Sequence, residues 1–197
     1  MPPKPKFTRD EIIAAALELV SARGEQALTA RELGKQLGSS ARPLFTVFKS
    51  MEEVQTEVRA AAMRRFESYA QHTMPQLPLF KQVGMQMILF ATQEPKLFQL
   101  LFMQETEEIT GFDGIFARLG PVAESCVELL CQVHSLTQEQ ARTLFENVWI
   151  YTFGIGALCA TKACSFTVDQ LSGMLSLEFS ALLQAVQQPQ QMEREDG

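Results

Sequence analysis

The feature that most restricts the fold is a repeated helix-start signal. In a capping box, a Ser or Thr and the Glu or Gln three residues later each bond a free backbone amide of the first helical turn. Five such pairs occur along the chain: Thr8/Glu11, Thr29/Glu32, Ser50/Glu53, Thr137/Gln140 and Thr167/Gln170. Apolar residues recur with the helical period, and no segment alternates as a strand does. The sequence therefore predicts an all-α protein.

Helix boundaries follow from these starts and from Gly and Pro. Short helices are expected at about 9–23, 30–37 and 41–48, and a longer one begins after Ser50. Further helices are expected at 79–93, from Pro95, from Pro121 to His134, at 138–162 and at 168–187. The predicted domains are residues 1–55, residues 56–187 and a Gln-rich, charged tail over 188–197, which is expected to be disordered.

Charge is distributed unevenly along the chain. Residues 1–65 carry 11 Lys/Arg and 8 Asp/Glu, whereas the remainder carries 6 and 15, for a total of -6. A net charge of -6 taken alone argues against a nucleic-acid partner, but the basic segment is where an anion would bind.

Residues 28–54 carry the most specific motif. It reads Leu-Thr-Ala-Arg-Glu-Leu-Gly-Lys-Gln-Leu-Gly over 28–38, Leu-Phe-x-x-Phe over 44–48 and Ser-x-Glu-Glu-Val over 50–54. A helix, a Gly-containing turn and a second helix form a helix-turn-helix, whose second helix enters the DNA major groove. Over about residues 8–55 the pattern resembles the DNA-binding domain of tetracycline-repressor-like (TetR) transcriptional regulators. The resemblance implies a ligand-binding and dimerisation domain in the remaining helices. There, 149–154 is similar to the Trp-x-x-x-His-Gly signature of one branch, with Phe153 in place of His.

The resemblance and the side-chain chemistry together give the candidate DNA contacts. Basic and hydroxyl groups suit phosphate, and the apolar rings of Pro43 and Phe45 suit a thymine methyl group. The candidates are Lys4, Lys6, Thr29, Ser40, Ala41, Arg42, Pro43, Phe45, Thr46 and Lys49. At Phe45, Val47 and Met51 the family commonly has Tyr, His and Lys, so three usual phosphate contacts are missing and weaker DNA binding is expected.

A second set of residues is a candidate effector site. Large rings and flexible methionines can line a cavity between helices or simply form core. The candidates are Phe66, Met85, Phe90, Phe102, Met103, Trp149 and Phe153. Few polar residues accompany them, so an apolar or aromatic small molecule is expected.

The last two long helices carry more apolar surface than one chain is expected to cover. Pairing with the same helices of a second copy would bury this surface about a two-fold axis, although both helices could instead be central in a monomer. In a homodimer, two recognition helices about 34 Å apart would read a pseudo-palindromic operator.

Several classes of protein are disfavoured. There is no reactive constellation of nucleophile and base and no phosphate-binding Gly loop, so catalysis and a cofactor are not expected. Cys131 and His134 are too few for a metal site. No apolar run reaches the roughly 18 residues of a membrane span and no leader is recognisable, so a cytoplasmic location is expected. The four cysteines are expected to be reduced core residues.

The resulting interpretation is a TetR-like, homodimeric DNA-binding transcriptional regulator, more specifically a repressor, released from its operator by a small molecule. The alternative is a helical small-molecule or protein binding module on the same scaffold, with weakened or lost DNA binding. An enzyme on a helical bundle is a third, less favoured reading.

Overall fold

The computed structural model describes residues 6–70, 79–105 and 111–188, and every regular element within these ranges is helical. The all-α prediction is confirmed. The α-helices are α1 (Arg9–Arg23), α2 (Ala30–Gln36), α3 (Met51–Ala70), α4 (Leu79–Gln93), α5 (Pro95–Phe102), α6 (Phe112–Leu119), α7 (Pro121–His134), α8 (Gln138–Ala160) and α9 (Val168–Gln187).

The predicted start signals begin helices as expected. Reciprocal capping boxes form at Thr8, Thr137 and Thr167, the starts of α1, α8 and α9. At the start of α2 the Thr29 hydroxyl accepts a hydrogen bond from the Glu32 amide. Each bond satisfies an amide that has no partner within its own helix, which is why these helix starts could be located from the sequence.

Two helical elements were not predicted. They are α6, bounded by Gly111 and Gly120, and a 3-10 turn over Glu25–Ala27. Eight residues hold little more than two helical turns, too few for a clear periodic pattern. Of the predicted tail, 189–197 lies outside the described residues.

The expectation that the cysteines are core residues is confirmed for Cys126 and wrong for Cys164, whereas Cys131 and Cys159 are half-buried. Cys126 is buried and Cys164 is exposed, and all four are free thiols. Burial raises the pKa of the Cys126 thiol to about 11, because the thiolate would lose its hydration there.

The chain divides into two compact units. Among the described residues, the N-terminal unit comprises 6–69 and 90–105, and the C-terminal unit comprises 70, 79–89 and 111–188. The N-terminal unit therefore includes α5, which follows α3 only after a long intervening segment. These units are defined by packing, whereas the predicted boundary at residue 55 separates proposed roles and stays a prediction.

The core of the N-terminal unit joins the first helices to α5. Ile12, Ala16 and Val20 of α1 are fully buried, as are Leu97 and Phe98 of α5. The helices α1 and α5 pack directly against each other. The hydrophobic surface of α1 is thus covered partly by residues far away in the sequence.

A buried carboxylate connects three helices of this unit. Glu94, which precedes α5 and is only 8% exposed, accepts a hydrogen bond from the Ser21 hydroxyl at 2.6 Å. Its other oxygen lies 2.8 Å from Arg65 Nη2 on α3. Arg65 also pairs with Glu18 of α1 at 3.0 Å. A buried charge is tolerated only when it is paired in this way.

The C-terminal unit has its own core. Met85 and Ile88 of α4 pack with Ile155 of α8 and with Leu171 and Leu175 of α9. The Gln140 side chain of α8 donates to the Val186 carbonyl of α9 at 2.7 Å. Among the described residues, no helix combines the length and hydropathy needed to cross a bilayer.

The Glu94 contacts lead to a stability prediction. Replacing Glu94 by Ala leaves Ser21 and the buried side of Arg65 without their partner, and should lower the free energy of unfolding by about 2 kcal/mol. Glu18→Ala removes the exposed partner of the same arginine and should leave the stability nearly unchanged. Urea unfolding of both variants measures the difference. Equal effects would mean that Glu94 contributes no more than a surface ion pair.

Candidate nucleic-acid interface

The segment predicted as a helix over 41–48 is a five-residue 3-10 helix, Arg42–Thr46. The prediction of a regular α-helix there is wrong in length and in type. Pro43 has no amide to donate, and the Thr46 hydroxyl donates to the Pro43 carbonyl at 2.7 Å. The Leu44 amide bonds the Ala41 carbonyl, a bond between residues three apart. Ala41 is the N-cap of this helix.

The inner side of this segment is held firmly. Leu44 and Phe48 are 1% and 2% exposed. The Arg9 guanidinium lies 4.4 Å from the centre of the Phe48 ring. It also pairs with Glu53 at 2.9 Å and Glu57 at 2.8 Å on α3. Arg9 thus anchors the start of α1 to α3.

Gly34 sets the distance between α2 and the turn that follows it. A Cβ atom at Gly34 would lie 2.8 Å from the backbone carbon of Ser40 and 2.9 Å from the Ala41 amide nitrogen. Both are backbone atoms, which cannot move aside as a flexible side chain can. Gly38 supplies the left-handed residue of the turn, with φ of 63°. The close approach at Gly34 was not predicted, although an isolated Gly within a helix indicates this kind of contact.

The outer side presents several of the predicted DNA contacts together. Phe45 is 49% exposed. Ser40, Arg42, Thr46 and Lys49 are exposed, and Ala41 and Pro43 are half-buried. The surface formed by residues 40–49, here called the recognition surface, therefore combines cationic, hydroxyl and apolar groups.

The remaining predicted contacts have varied positions. Thr29 is exposed and caps α2. Lys6 Nζ donates to the Ser39 hydroxyl at 3.1 Å, beside the recognition surface. Lys4 lies outside the described residues.

Ion pairing decides which basic side chains are available to a partner. Arg23 and Lys35 both bind Glu32, and the pKa of that carboxyl is lowered from 4.5 to about 2, chiefly by its bond to Lys35 and then by Arg23. In the part of the chain that is described, neither Arg42 nor Lys49 has an ion-pair partner. These two cations can therefore meet an external anion without first breaking a salt bridge.

Arg31 is a further candidate that the sequence reasoning missed. It is exposed on α2, and no carboxylate among the described residues pairs with it. Its position two residues before the buried Leu33 places it on the opposite face of the helix. This two-residue spacing from an apolar position could have identified Arg31 as an exposed cation from the sequence.

Carboxylates occupy part of the start of α3. Glu53 accepts from the Lys49 amide at 2.7 Å, and the pKa of its carboxyl is lowered by that bond and by Arg9. The pKa of Glu52 is lowered chiefly by its bond to the Ser50 hydroxyl. Two negative side chains beside the first amides of α3 reduce the attraction of this helix end for phosphate.

The seven candidate effector residues do not lie in one unit. Phe66, Phe90, Phe102 and Met103 belong to the N-terminal unit, and Met85, Trp149 and Phe153 to the C-terminal unit. Phe66 packs edge-to-face on both Phe90 and Phe102, at ring-centre distances of 5.4 and 5.2 Å. Trp149 and Phe153 stack at 5.3 Å.

Comparison with known proteins finds a family match at the N-terminal part of the chain. Residues 12–58 match the family model described as bacterial regulatory proteins, tetR family. The match covers about a quarter of the chain and assigns a tetR-family domain to its N-terminal part. The matched range runs from α1 into α3 and so includes Gly34 and the recognition surface. Among curated proteins the sequence has no significant match.

Solved structures of TetR-family proteins share the fold. A TetR-family putative transcriptional regulator from Vibrio parahaemolyticus aligns with a TM-score of 0.63 at 17% identity, over 89% of this chain and 98% of that chain. A single-substitution variant of TetR from Acinetobacter baumannii AYE, in complex with minocycline, aligns at 0.58 and 17% identity, over 91% and 96%. BioQ, solved with its double-stranded DNA operator, aligns at 0.58 and 15% identity, over 91% and 99%. At these identities the likeness shows a shared fold.

Gly34 gives a testable prediction for the TetR-type domain. Gly34→Ala forces the added carbon against backbone and should lower the free energy of unfolding by about 2 kcal/mol. In Gly38→Ala the added Cβ atom would have open space. The free energy of unfolding should therefore fall only by the strain of a left-handed backbone at an alanine, about 1 kcal/mol. Thermal unfolding of both variants tests this ranking. A Gly34→Ala variant as stable as wild type would show that the turn can shift freely.

Proposed function

We propose that this chain is a homodimeric TetR-family transcriptional regulator, acting as a repressor, that binds a pseudo-palindromic DNA operator and is released by a small molecule. The observation that supports DNA binding most directly is the recognition surface. Arg42 and Lys49 are exposed there, and the segment is fixed from behind by Leu44 and Phe48. Fixed cations suit the regular charge of a duplex backbone.

Two roles are proposed within the recognition surface. Arg42 and Lys49 bind phosphate, and Arg31 and Lys6 bind phosphate at the edge of the recognition surface. Phe45 and Pro43 contact a thymine methyl group, the apolar feature of the major-groove edge. Phe45 is well placed for this because half of its surface is exposed on a segment whose other side is buried.

The operator and the small molecule are inferred partly from relatives. BioQ was solved with double-stranded DNA, and the Acinetobacter TetR variant with minocycline. We carry to this chain only the classes of partner, a duplex and a small organic molecule. The missing Tyr, His and Lys, together with the carboxylates at the start of α3, favour modest affinity with few phosphate contacts.

The decisive experiment selects duplexes from a random pool and then titrates the best one with salt. Arg42→Ala and Lys49→Ala should each weaken binding to all duplex sequences by a similar factor. Each should also reduce the slope of log affinity against log salt concentration by about 1. Phe45→Ala should leave the slope unchanged and reduce discrimination at an A·T position. Fluorescence anisotropy measures both quantities.

A matched control is available on α3. Arg64 is exposed and, within the described residues, has no salt bridge, but it lies towards the far end of that helix. Arg64→Ala should change neither the affinity nor the slope. If the wild-type protein enriches no duplex, or binds with no dependence on salt, the alternative of a binding module without DNA affinity is correct.

The dimer interface is proposed on an exposed stripe of α8 and α9. The stripe contains Ile150, Gly154, Leu158, Gly173, Leu177 and Ala181, all of them exposed or half-buried. Leu177 is 75% exposed and Ile150 is 51% exposed. A Cβ atom at Gly154 or Gly173 would have open space, so a second helix can approach the backbone closely. By contrast, Leu171 and Leu175 of α9 are buried within the unit.

The second copy of the chain is the proposed occupant of this stripe, because the same surface on both copies is complementary about a two-fold axis. Leu177→Glu should raise the dimer dissociation constant at least about tenfold, since a carboxylate would be buried without a partner. Val133→Glu, at a position that is 62% exposed on α7, is the control and should leave association unchanged. Sedimentation velocity distinguishes them. A wild-type protein that sediments as a monomer contradicts the proposal.

Release is proposed to work through unequal binding. An operator requires one separation of the two recognition surfaces, and a small molecule that binds better to another separation shifts the population towards it. Linkage then requires that operator DNA weakens the binding of the small molecule by the same factor by which the small molecule weakens the binding of DNA.

A further inference from the structure

The C-terminal unit contains a cavity of about 310 Å³ between α4, α7, α8 and α9. None of the seven predicted effector residues lines it. One water molecule occupies about 30 Å³ in liquid water. The cavity therefore has the volume of about ten water molecules, or of a ligand with about ten non-hydrogen atoms. The cavity therefore fits a small organic molecule, not a large aromatic system.

The interior of the cavity is apolar. Leu130 of α7, Val148 of α8 and Leu175 of α9 form part of the lining and are 1%, 5% and 4% exposed. Gly84 of α4 also lines the cavity, where a Cβ atom would be in ordinary contact with Thr152 Oγ1 at 3.5 Å and Leu175 Cδ1 at 3.6 Å. A flexible aliphatic chain would gain free energy by leaving water for such a lining.

The polar groups of the lining include one cation, Lys81. Lys81 Nζ donates to the Ser176 hydroxyl at 2.6 Å, and Ser180 lies one helical turn further along α9. His134, at the end of α7, packs against the Phe179 ring with centres 5.4 Å apart. Lys81 and His134 are half-buried, whereas Ser176 and Ser180 are exposed, which places the polar groups towards the mouth.

The charge of this lining differs from that of its surroundings. Residues 66–197 hold 15 Asp/Glu and 6 Lys/Arg, yet among the described residues no carboxylate lines the cavity. In the ranges that the structure describes, Lys81 has no ion-pair partner. An ammonium group beside an apolar cavity, hydrogen-bonded only to a neutral hydroxyl, is suited to an anionic ligand group.

We infer that this cavity binds an amphipathic carboxylate, an aliphatic chain of about eight carbons whose carboxylate pairs with Lys81 at the mouth. The chain occupies the space between Leu130, Val148 and Leu175, and the Ser176 and Ser180 hydroxyls donate to the carboxylate. The regulatory consequence, release from DNA, rests on the proposed function; the binding itself does not. The ligand class differs from the apolar or aromatic molecule expected from the sequence, because the charge at Lys81 is part of the site.

Other ligand classes fit less well. A purely apolar molecule would shield Lys81 from water without giving its charge a partner. A cationic ligand would be repelled by the same group. A chain much longer than eight carbons exceeds the volume unless it extends through the mouth.

The experiment uses octanoate and the full-length protein in isothermal titration calorimetry without DNA. Octanamide is the neutral probe of nearly the same size. Octanoate should bind at least about tenfold more tightly than octanamide, because a charge-assisted hydrogen bond is about twice as strong as a neutral one. Hexanoate, two methylene groups shorter, should bind about tenfold more weakly than octanoate.

Variants of Lys81 locate the site. Lys81→Met should reduce octanoate affinity at least about tenfold while leaving octanamide within about twofold, and Lys81→Arg should retain most of the preference for the anion. Lys96→Met removes a lysine of α5, in the other unit, and should change nothing. Circular dichroism checks that each variant is folded. Equal binding of octanoate and octanamide, full octanoate affinity in Lys81→Met, or no octanoate binding to the wild type would each overturn the inference.

A DNA measurement separates this inference from the proposed function. Octanoate is added to the complex of the protein with its best selected duplex, and anisotropy is followed. If octanoate binds the cavity but leaves the duplex bound, the inferred site stands and release by this ligand is wrong. If the duplex binds but octanoate does not, the DNA-binding proposal stands and the inferred site is wrong.

Discussion

The packing of α1, α3 and α5 in the N-terminal unit depends on the polar contacts of the buried Glu94 carboxylate. It accepts from Ser21 of α1 and pairs with Arg65 of α3, and it stands immediately before α5. Arg9 joins the same two helices near the other end of α1, through Glu53 and Glu57. The recognition surface follows α2 and leads directly into α3. Its position is therefore fixed by polar contacts at both ends of α1 as well as by apolar packing.

Internal ion pairs also decide what the N-terminal unit can offer to DNA. Five of its described basic side chains are neutralised by carboxylates of the same unit: Arg9, Arg23, Lys35, Arg59 and Arg65. The basic balance of residues 1–65 therefore says less about DNA binding than the location of the unpaired cations. Among the described residues, Arg42 and Lys49 flank Phe45 on a single short segment, so charge and apolar contact occur side by side.

Local features were predictable from the sequence and non-local ones were not. The starts of α1, α8 and α9 depend on a side chain and an amide three residues apart, so their motifs were sufficient. The 3-10 geometry of 42–46 results from competition between Pro43, Thr46 and the backbone, which the apolar spacing does not report. The cavity brings together α4, α7, α8 and α9, elements distant in sequence, and periodicity carries no information about which helices meet. Lys81 was overlooked for that reason.

The inclusion of α5 in the first unit has a consequence for protein engineering. In a chain truncated after α3, the surface of α1 that Leu97 and Phe98 help to cover would face water. Ser21 and Arg65 would also lose their contacts with Glu94. Residues 1–70 are therefore not an autonomous module that can be transplanted onto another effector domain. A working chimera would have to keep residues 90–105, and its junctions would fall on either side of this returning segment.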